Sequence, residues 1–255
     1  MRWIDTHAHI YSEEILPEVD AVINRAADNG IDKICMPAID SSCLESMLQM
    51  EASYPKQCFA MMGLHPCYVK ENYKEELAIV QQWLGKRKFV AIGEIGLDFY
   101  WDKTYTVQQH ESFVTQMQWA LEYELPIIIH TRNAMGETIE AVKPFAKKGL
   151  GGIFHCFSGS KESAEQITGM GFHLGLGGVL TYKNAGVAEA VKDIPMQWLV
   201  LETDAPYLSP VPYRGKKNEP VYMLEVAKKL AEIKSMPLHE VAEITTQNAE
   251  RIFQF

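Results

Sequence analysis

Short apolar runs alternate with amphipathic segments along the whole chain. Eight runs have the length and composition of buried strands, at residues 3–10, 33–39, 58–64, 89–95, 126–130, 152–157, 172–176 and 198–202. Helical patterns separate them, for example at residues 18–28, 75–84, 107–123 and 185–192. A closing helical region, residues 221–255, is interrupted at Met236-Pro237. This order of strand and helix predicts an α/β fold, a single parallel (β/α)₈ TIM barrel domain over residues 1–255.

The composition indicates a globular protein. Of the 255 residues, 47% are hydrophobic and 22% are charged, which is usual for soluble domains. The net charge of -9 argues against a generally basic surface that coats nucleic acid, although it leaves room for a local basic patch. Five cysteines form no CxxC pair, and no apolar run has the length of a membrane span or the form of a signal peptide. We therefore expect reduced thiols, no contact with a membrane and a cytoplasmic location.

Ionisable residues concentrate at the ends of the predicted strands. The first strand carries Asp5, His7 and His9 at alternate positions, so the three side chains should share one face. Leaving such groups in a core without partners is costly. Further ionisable residues end later strands, in chain order His65, Glu94, His130, His155 and Asp204. Because barrel enzymes build their active sites at the carboxyl ends of the strands, we expect these side chains to converge.

This set of residue types predicts a metal centre. A single histidine at a strand end is usually structural, but five histidines and two acids at one rim favour Zn²⁺, Mn²⁺ or Mg²⁺. His7 and His9 would hold one ion, His130 and His155 a second, and Glu94 would bridge the two. Two ions about 4 Å apart can bind both the attacking and the leaving oxygen of an in-line displacement. The other histidines are expected to be structural: His110, His173 and His239.

Three acids have further expected roles. Asp5 and Glu202 would sit one layer below the metal ligands, where a carboxylate fixes the tautomer and orientation of an imidazole. For both residues, simple buried hydrogen bonding and direct ligation remain open. Asp204 would combine ligation with general-base action on the attacking water.

Six sequence fragments together resemble the TatD family of metal-dependent hydrolases, which have amidohydrolase-like barrels. The fragments run from Asp5 to Pro220 and are, in order, DTHAHI, GLHP, GEIGLDFYWD, HTR, HCFSGS and ETDAPYLSPVPYRGKKNEP. Each is weak alone, but the ordered set is specific. The resemblance implies a phosphodiesterase or deoxyribonuclease that uses Mg²⁺, Mn²⁺ or Zn²⁺.

The resemblance also implies roles for individual residues. It makes His65, in GLHP, a contact for the substrate phosphate, and it makes six residues metal ligands: His7, His9, Glu94, His130, His155 and Asp204. Tyr11 departs from the family, which often has Asp at this position, and the run TRNAMGET after His130 departs from the commoner TREA-type run. These departures are expected to affect substrate preference and not the metal site.

Basic and aromatic residues follow the strands at the same rim. Arg132 follows the fifth strand, and Arg214, Lys216 and Lys217 follow the eighth, where they could bind phosphate. A solvated loop is the alternative for the second group. Aromatic side chains there would stack unpaired bases or cover the barrel mouth, namely Phe99, Tyr100, Trp101, Tyr182 and Tyr207.

The resulting hypothesis is a hydrolase of phosphodiesters at single-stranded or frayed DNA ends, with Asp204 and Glu94 as its catalytic residues and two divalent ions as cofactors. Two alternatives stay open. One is a barrel hydrolase of an ester or amide, such as a D-aminoacyl-tRNA deacylase; Glu94 disfavours the subgroup that bridges its metals with a modified lysine. The other is a non-catalytic, metal-dependent interaction protein. The sequence leaves the physiological metal, the cleavage polarity and the oligomeric state open.

Overall fold

Eight parallel strands alternate with helices along the chain in the computed structural model, which describes all 255 residues. The strands are β1 (Trp3–Asp5), β2 (Ile31–Pro37), β3 (Cys58–Met61), β4 (Ile92–Asp98), β5 (Ile127–Arg132), β6 (Gly152–Phe154), β7 (His173–Leu176) and β8 (Leu199–Leu201). The α-helices are α1 (Val19–Asp28), α2 (Leu44–Ser53), α3 (Tyr73–Lys86), α4 (Thr106–Glu122), α5 (Met135–Ala146), α6 (Lys161–Gly169), α7 (Val187–Val191), α8 (Met223–Lys234) and α9 (Leu238–Phe253). The predicted α/β architecture is confirmed.

The strands form two parallel sheets that continue into each other around a barrel. One sheet has the order β1-β2-β3 and the other the order β4-β5-β6-β7-β8. Between them, the backbone of Met62 bridges to Ile92 at one seam. At the other seam the Thr6 amide donates to the Leu201 carbonyl, 3.1 Å away. Isolated bonds, rather than regular ladders, join the two sheets at these seams, so the layout is that of a (β/α)₈ barrel whose sheet is not continuous.

Two apolar layers hold the barrel together. A small cluster has one side chain from each of six strands, with none from β7, and Ala91 just before β4: Ile4, Cys35, Met61, Ala91, Ile128, Ile153 and Val200. A larger cluster of 60 buried residues lies where the helices pack against the strands. On β5, Ile127 and Ile129 belong to this larger cluster, whereas Ile128 belongs to the smaller one. The two-residue period of a strand thus places His130 on the same side as Ile128.

Several strand bounds differ from the predicted ones, and the differences matter for the site. The regular part of β1 ends at Asp5, so His7 and His9 lie in the segment beyond it. There the amides of Thr6 and Ala8 bond to single carbonyls of neighbouring segments, without a ladder. Conversely, β4 continues beyond Glu94 to Asp98. Glu94 therefore lies inside a strand, not at its end.

No helix has both the length and the apolar content that a bilayer crossing requires.

Candidate metal centre

The ionisable residues that follow or end the strands meet at one cavity at the carboxyl ends of the strands. The cavity has a volume of about 1030 Å³. Seven of the predicted site residues are among those that line it: His9, His65, Glu94, His130, Arg132, His155 and Asp204. His7 is fully buried directly beneath them. Residues from β1, β3, β4, β5, β6 and β8 or from the segments after them thus converge.

The carboxylate of Glu94 lies between two sets of imidazoles. Its Oε2 atom is 3.2 Å from Nε2 of His7 and 3.7 Å from Nε2 of His9. Its Oε1 atom is 2.9 Å from Nδ1 of His130 and 3.4 Å from Nε2 of His155. Each oxygen therefore faces a different histidine pair. This geometry suits a carboxylate that bridges two ions.

The carboxylate of Asp204 lies beside the rings of His7 and His9. Its Oδ1 atom lies 3.6 Å from Nε2 of His7 and 3.5 Å from Nε2 of His9. The Asp204 backbone has φ of 58°, in the left-handed region that aspartate tolerates better than most residues. Its amide donates to the carbonyl of His7, 2.9 Å away. This conformation places the Asp204 carboxylate beside the two rings.

Glu202 fixes the tautomer of His155. Nδ1 of His155 lies 3.0 Å from Oε1 of Glu202, which also accepts from the Cys156 amide at 2.6 Å. A carboxylate can only accept, so Nδ1 of His155 carries a proton, and in the neutral ring the lone pair of Nε2 faces Glu94. A Cβ atom on Gly175 would lie 2.2 Å from Oε2 of Glu202. Glycine at that position therefore makes room for the buried acid.

Asp98 fixes the tautomer of His130, a role that the sequence analysis did not predict. Oδ2 of Asp98 lies 2.9 Å from Nε2 of His130, which leaves Nδ1 to face Glu94. Oδ1 of Asp98 accepts from the amides of Tyr100 and Trp101 at 2.9 and 3.1 Å. Although burial raises the pKa of Asp98, these hydrogen bonds lower it below its usual range. The signal was present: Asp98 stands four residues after Glu94, on the same face of one strand.

Asp5 makes the simple buried hydrogen bonds that the sequence left open as an alternative, and does not orient an imidazole. It accepts from the amide of His7 at 3.2 Å, and from the amide and hydroxyl of Thr203 at 3.0 and 2.6 Å. None of these contacts is to a ring nitrogen. Burial raises its pKa to about 8 despite those bonds. Asp5 thus ties the segment after β1 to the segment after β8, as a buried hydrogen-bonding residue.

Tyr11, at the position that departs from the family, lines the cavity and contacts a predicted metal ligand. Its hydroxyl lies 2.9 Å from Nδ1 of His9 and donates to the carbonyl of Pro37, 2.5 Å away. Burial raises the pKa of Tyr11 well above its ordinary value, so the phenol is neutral.

The donor set fits divalent cations. The ligand atoms of His7, His9 and Glu94 lie within 4.8 Å of one another, and so do those of Glu94, His130 and His155. When these rings are neutral, as metal binding requires, their outer hydrogen bonds direct lone pairs, not N–H groups, from His9, His130 and His155 toward the ionised acids. Lone pairs and carboxylates that face each other in a buried site repel unless a cation lies among them. The arrangement therefore calls for positive charge.

The pKa shifts of the site residues also indicate that the site requires positive charge. Burial raises the pKa of Glu94, but the surrounding histidines outweigh burial and hold it well below its usual value. The pKa of Asp204 is likewise lowered. Burial lowers the pKa of His155, yet the charges of Glu202 and Glu94 raise it to about 10. In the metal-free protein, protons on the rings balance the acids.

His65 turns an N–H group, and not a lone pair, toward Glu94. Its Nδ1 accepts from the Cys67 amide at 3.0 Å, so the proton is on Nε2, which lies 3.3 Å from Oε1 of Glu94. This makes His65 a hydrogen-bond donor toward the cavity rather than a metal ligand.

The predicted basic contacts divide into two groups. Arg132 lines the cavity, and its guanidinium lies 3.8 Å from the ring centre of Tyr100 and 5.0 Å from that of Trp101. Arg214 and Lys216 do not line it. Arg214 lies over Tyr182 instead, at 4.3 Å. The structure therefore does not bring Arg214 and Lys216 to the cavity wall, because the loop after β8 directs them elsewhere.

A parallel β/α barrel that gathers histidines and acids around a shared carboxylate defines a metal-dependent hydrolase. The comparison with known families is specific. The family described as TatD related DNase matches residues 4–254, and the chain belongs to this family.

Similar proteins cover nearly the full length of the chain. YabD of Bacillus subtilis, described as an uncharacterized metal-dependent hydrolase, is 41% identical over 251 residues, which is 98% of each protein. YcfH of Escherichia coli K12, with the same description, is 32% identical and covers 98% of this chain and 95% of its own. The crystal structure of YjjV, a TatD homolog from Escherichia coli K12, superposes with a TM-score of 0.94 at 31% identity, and covers 100% of this chain and 98% of its own.

Proposed function

We propose that the protein hydrolyses phosphodiesters at single-stranded or frayed DNA ends with two divalent ions, Mg²⁺, Mn²⁺ or Zn²⁺. The observation that carries this proposal is the position of Glu94, whose two oxygens face different histidine pairs beneath an open cavity. The membership of the TatD related DNase family supports phosphodiester substrates. A cytoplasmic location stays a prediction.

The residues divide into two half-sites. His7, His9 and Asp204 would hold one ion, His130 and His155 the other, and Glu94 would contact both. Bound divalent ions supply positive charge that polarises a phosphoryl oxygen and acidifies water.

Asp204 is the proposed general base. Its carboxylate lines the cavity, and its lowered pKa keeps it ionised at neutral pH. An ionised carboxylate at the wall can accept the proton of a water that attacks phosphorus. The positive charge of Arg132 and the N–H of His65 face the same space and would bind the phosphate oxygens.

The aromatic segment after β4 supports a preference for unpaired bases. The indole of Trp101 lines the cavity and is 67% exposed, beside the exposed ring of Tyr100. Asp98 holds the amides of both residues and also bonds to His130. A base stacked on Trp101 would therefore be held at a fixed distance from the metal centre. Such stacking requires an unpaired nucleotide.

Hydrolysis of end-labelled DNA tests the proposal. Metal-free protein would be supplied in turn with Mg²⁺, Mn²⁺ or Zn²⁺ and with single-stranded DNA, blunt duplex DNA, D-aminoacyl-tRNA or a small ester. We expect cleavage of single-stranded DNA only when an ion is present, slower cleavage of blunt duplex, and no activity in Glu94→Gln. Hydrolysis of the tRNA or the ester without DNA cleavage would establish the ester or amide alternative. No hydrolysis of any substrate with any ion would favour the interaction protein.

A further inference from the structure

Tyr11 forms a hydrogen-bonded chain with one predicted ligand and one backbone carbonyl. The ring is buried, with 4% of its surface exposed, and lies at the edge of the core and the cavity. Its oxygen is 2.9 Å from Nδ1 of His9 and 2.5 Å from the carbonyl oxygen of Pro37.

The direction of each hydrogen bond between His9, Tyr11 and Pro37 follows from which atoms carry a hydrogen. A carbonyl oxygen has no hydrogen, so the Tyr11 hydroxyl must donate to Pro37. That hydroxyl has only one hydrogen, and its oxygen can therefore only accept from His9. The proton of the neutral His9 ring is consequently on Nδ1. The Nε2 lone pair then faces Glu94 and Asp204, 3.7 and 3.5 Å away.

We propose that Tyr11 is a positioning residue that holds His9 in the tautomer and orientation needed to bind a divalent ion through Nε2. The inference rests on the metal centre proposed above. Carboxylates do this for His130 and His155, whereas a neutral phenol does it for His9.

The substitution Tyr11→Phe isolates the hydroxyl, because phenylalanine fills nearly the same volume. Without the acceptor, the His9 proton is free to move to Nε2 and block that lone pair. We expect the affinity for Mn²⁺ or Zn²⁺ to fall about 10- to 100-fold, as is usual when an outer partner of a metal ligand is lost. Tyr54→Phe is the matched control, since its hydroxyl bonds to Asp20, away from the cavity.

Two measurements decide the inference. Nitrogen-15 NMR of the metal-free wild-type protein, at a pH where the ring is neutral, reports which His9 nitrogen carries the proton. Equilibrium dialysis of Mn²⁺ and Zn²⁺ reports affinity and stoichiometry for the wild type, Tyr11→Phe and Tyr54→Phe. The expected results are an Nδ1 proton in the wild type, its loss in Tyr11→Phe, and weaker ion binding in that variant alone.

A wild-type His9 that carries its proton on Nε2 would overturn the inference even if Tyr11→Phe fails to fold. An unchanged tautomer or unchanged affinity in a folded Tyr11→Phe would overturn it as well. If the wild-type protein binds no divalent ion, the proposed metal centre and the role of Tyr11 in it both fail. If it binds ions but cleaves no DNA, only the proposed function fails.

Discussion

The ring of His130 connects Asp98 to Glu94, because Nε2 lies 2.9 Å from Oδ2 of Asp98 and Nδ1 lies 2.9 Å from Oε1 of Glu94. Asp98 also holds the backbone of Tyr100 and Trp101. One buried carboxylate thus links the proposed metal centre to the segment that would bind a base.

Asp98→Asn tests this link. The amide oxygen can still accept from the Tyr100 and Trp101 amides, but the amide nitrogen cannot accept from His130. We expect the Mn²⁺ affinity, measured by titration calorimetry, to fall about 10- to 100-fold. Asp102→Asn serves as the control, because Asp102 bonds to Lys70 and Thr104 and lies outside the cavity lining. Equal binding by Asp98→Asn and the wild type would refute the role of Asp98.

Asp204→Asn separates ligation from proton transfer. Asparagine keeps one oxygen near His7 and His9 but cannot accept a proton from water at neutral pH. We expect ion binding to be partly retained and kcat on end-labelled single-stranded DNA to fall about 10²- to 10⁴-fold. Full activity in this variant would remove Asp204 from the mechanism.

Trp101→Ala should weaken binding of single-stranded DNA and leave ion binding intact. Stacking of a base on an aromatic ring is worth about 1–3 kcal/mol, so the affinity should fall about 5- to 150-fold. Trp101→Phe should retain most of it. Fluorescence titration with a short oligonucleotide measures the effect, and Tyr123→Ala, an exposed aromatic at the end of α4, is the control. If Trp101→Ala binds as tightly as the wild type, no base stacks there.

We expect the protein to lose stability in acid because of His173, the first residue of β7. Burial, together with the charge of Arg251, lowers its pKa from 6.5 to about 4. The unfolded chain therefore binds a proton at higher pH than the folded protein does. The stabilisation is present above pH 6.5 and is lost as the pH falls through about 4.

Denaturant unfolding of the metal-free protein across this range would measure the effect. His173→Asn should reduce the acid loss of unfolding free energy by about 1–3 kcal/mol. His110→Asn, on the exposed face of α4, should follow the wild type. An acid response that is identical in all three proteins would contradict the prediction.

The alternation of apolar and polar residues was sufficient to predict the barrel and the convergence of the strand-end residues. It placed the fourth strand at residues 89–95, whereas β4 runs to Asp98. Because the predicted strand ended three residues early, Asp98 was not recognised as a strand residue on the face of Glu94. The role of Tyr11 was hidden as well, because it depends on which nitrogen of His9 faces the cavity. The course of the loop that carries Arg214 has no periodic signal.

Anomalous diffraction from crystals soaked with Mn²⁺ tests the central claim most directly. The account predicts two peaks about 4 Å apart on either side of the Glu94 carboxylate, one beside His7 and His9 and the other beside His130 and His155. The absence of any peak within reach of Glu94, or ions bound only elsewhere, would contradict it.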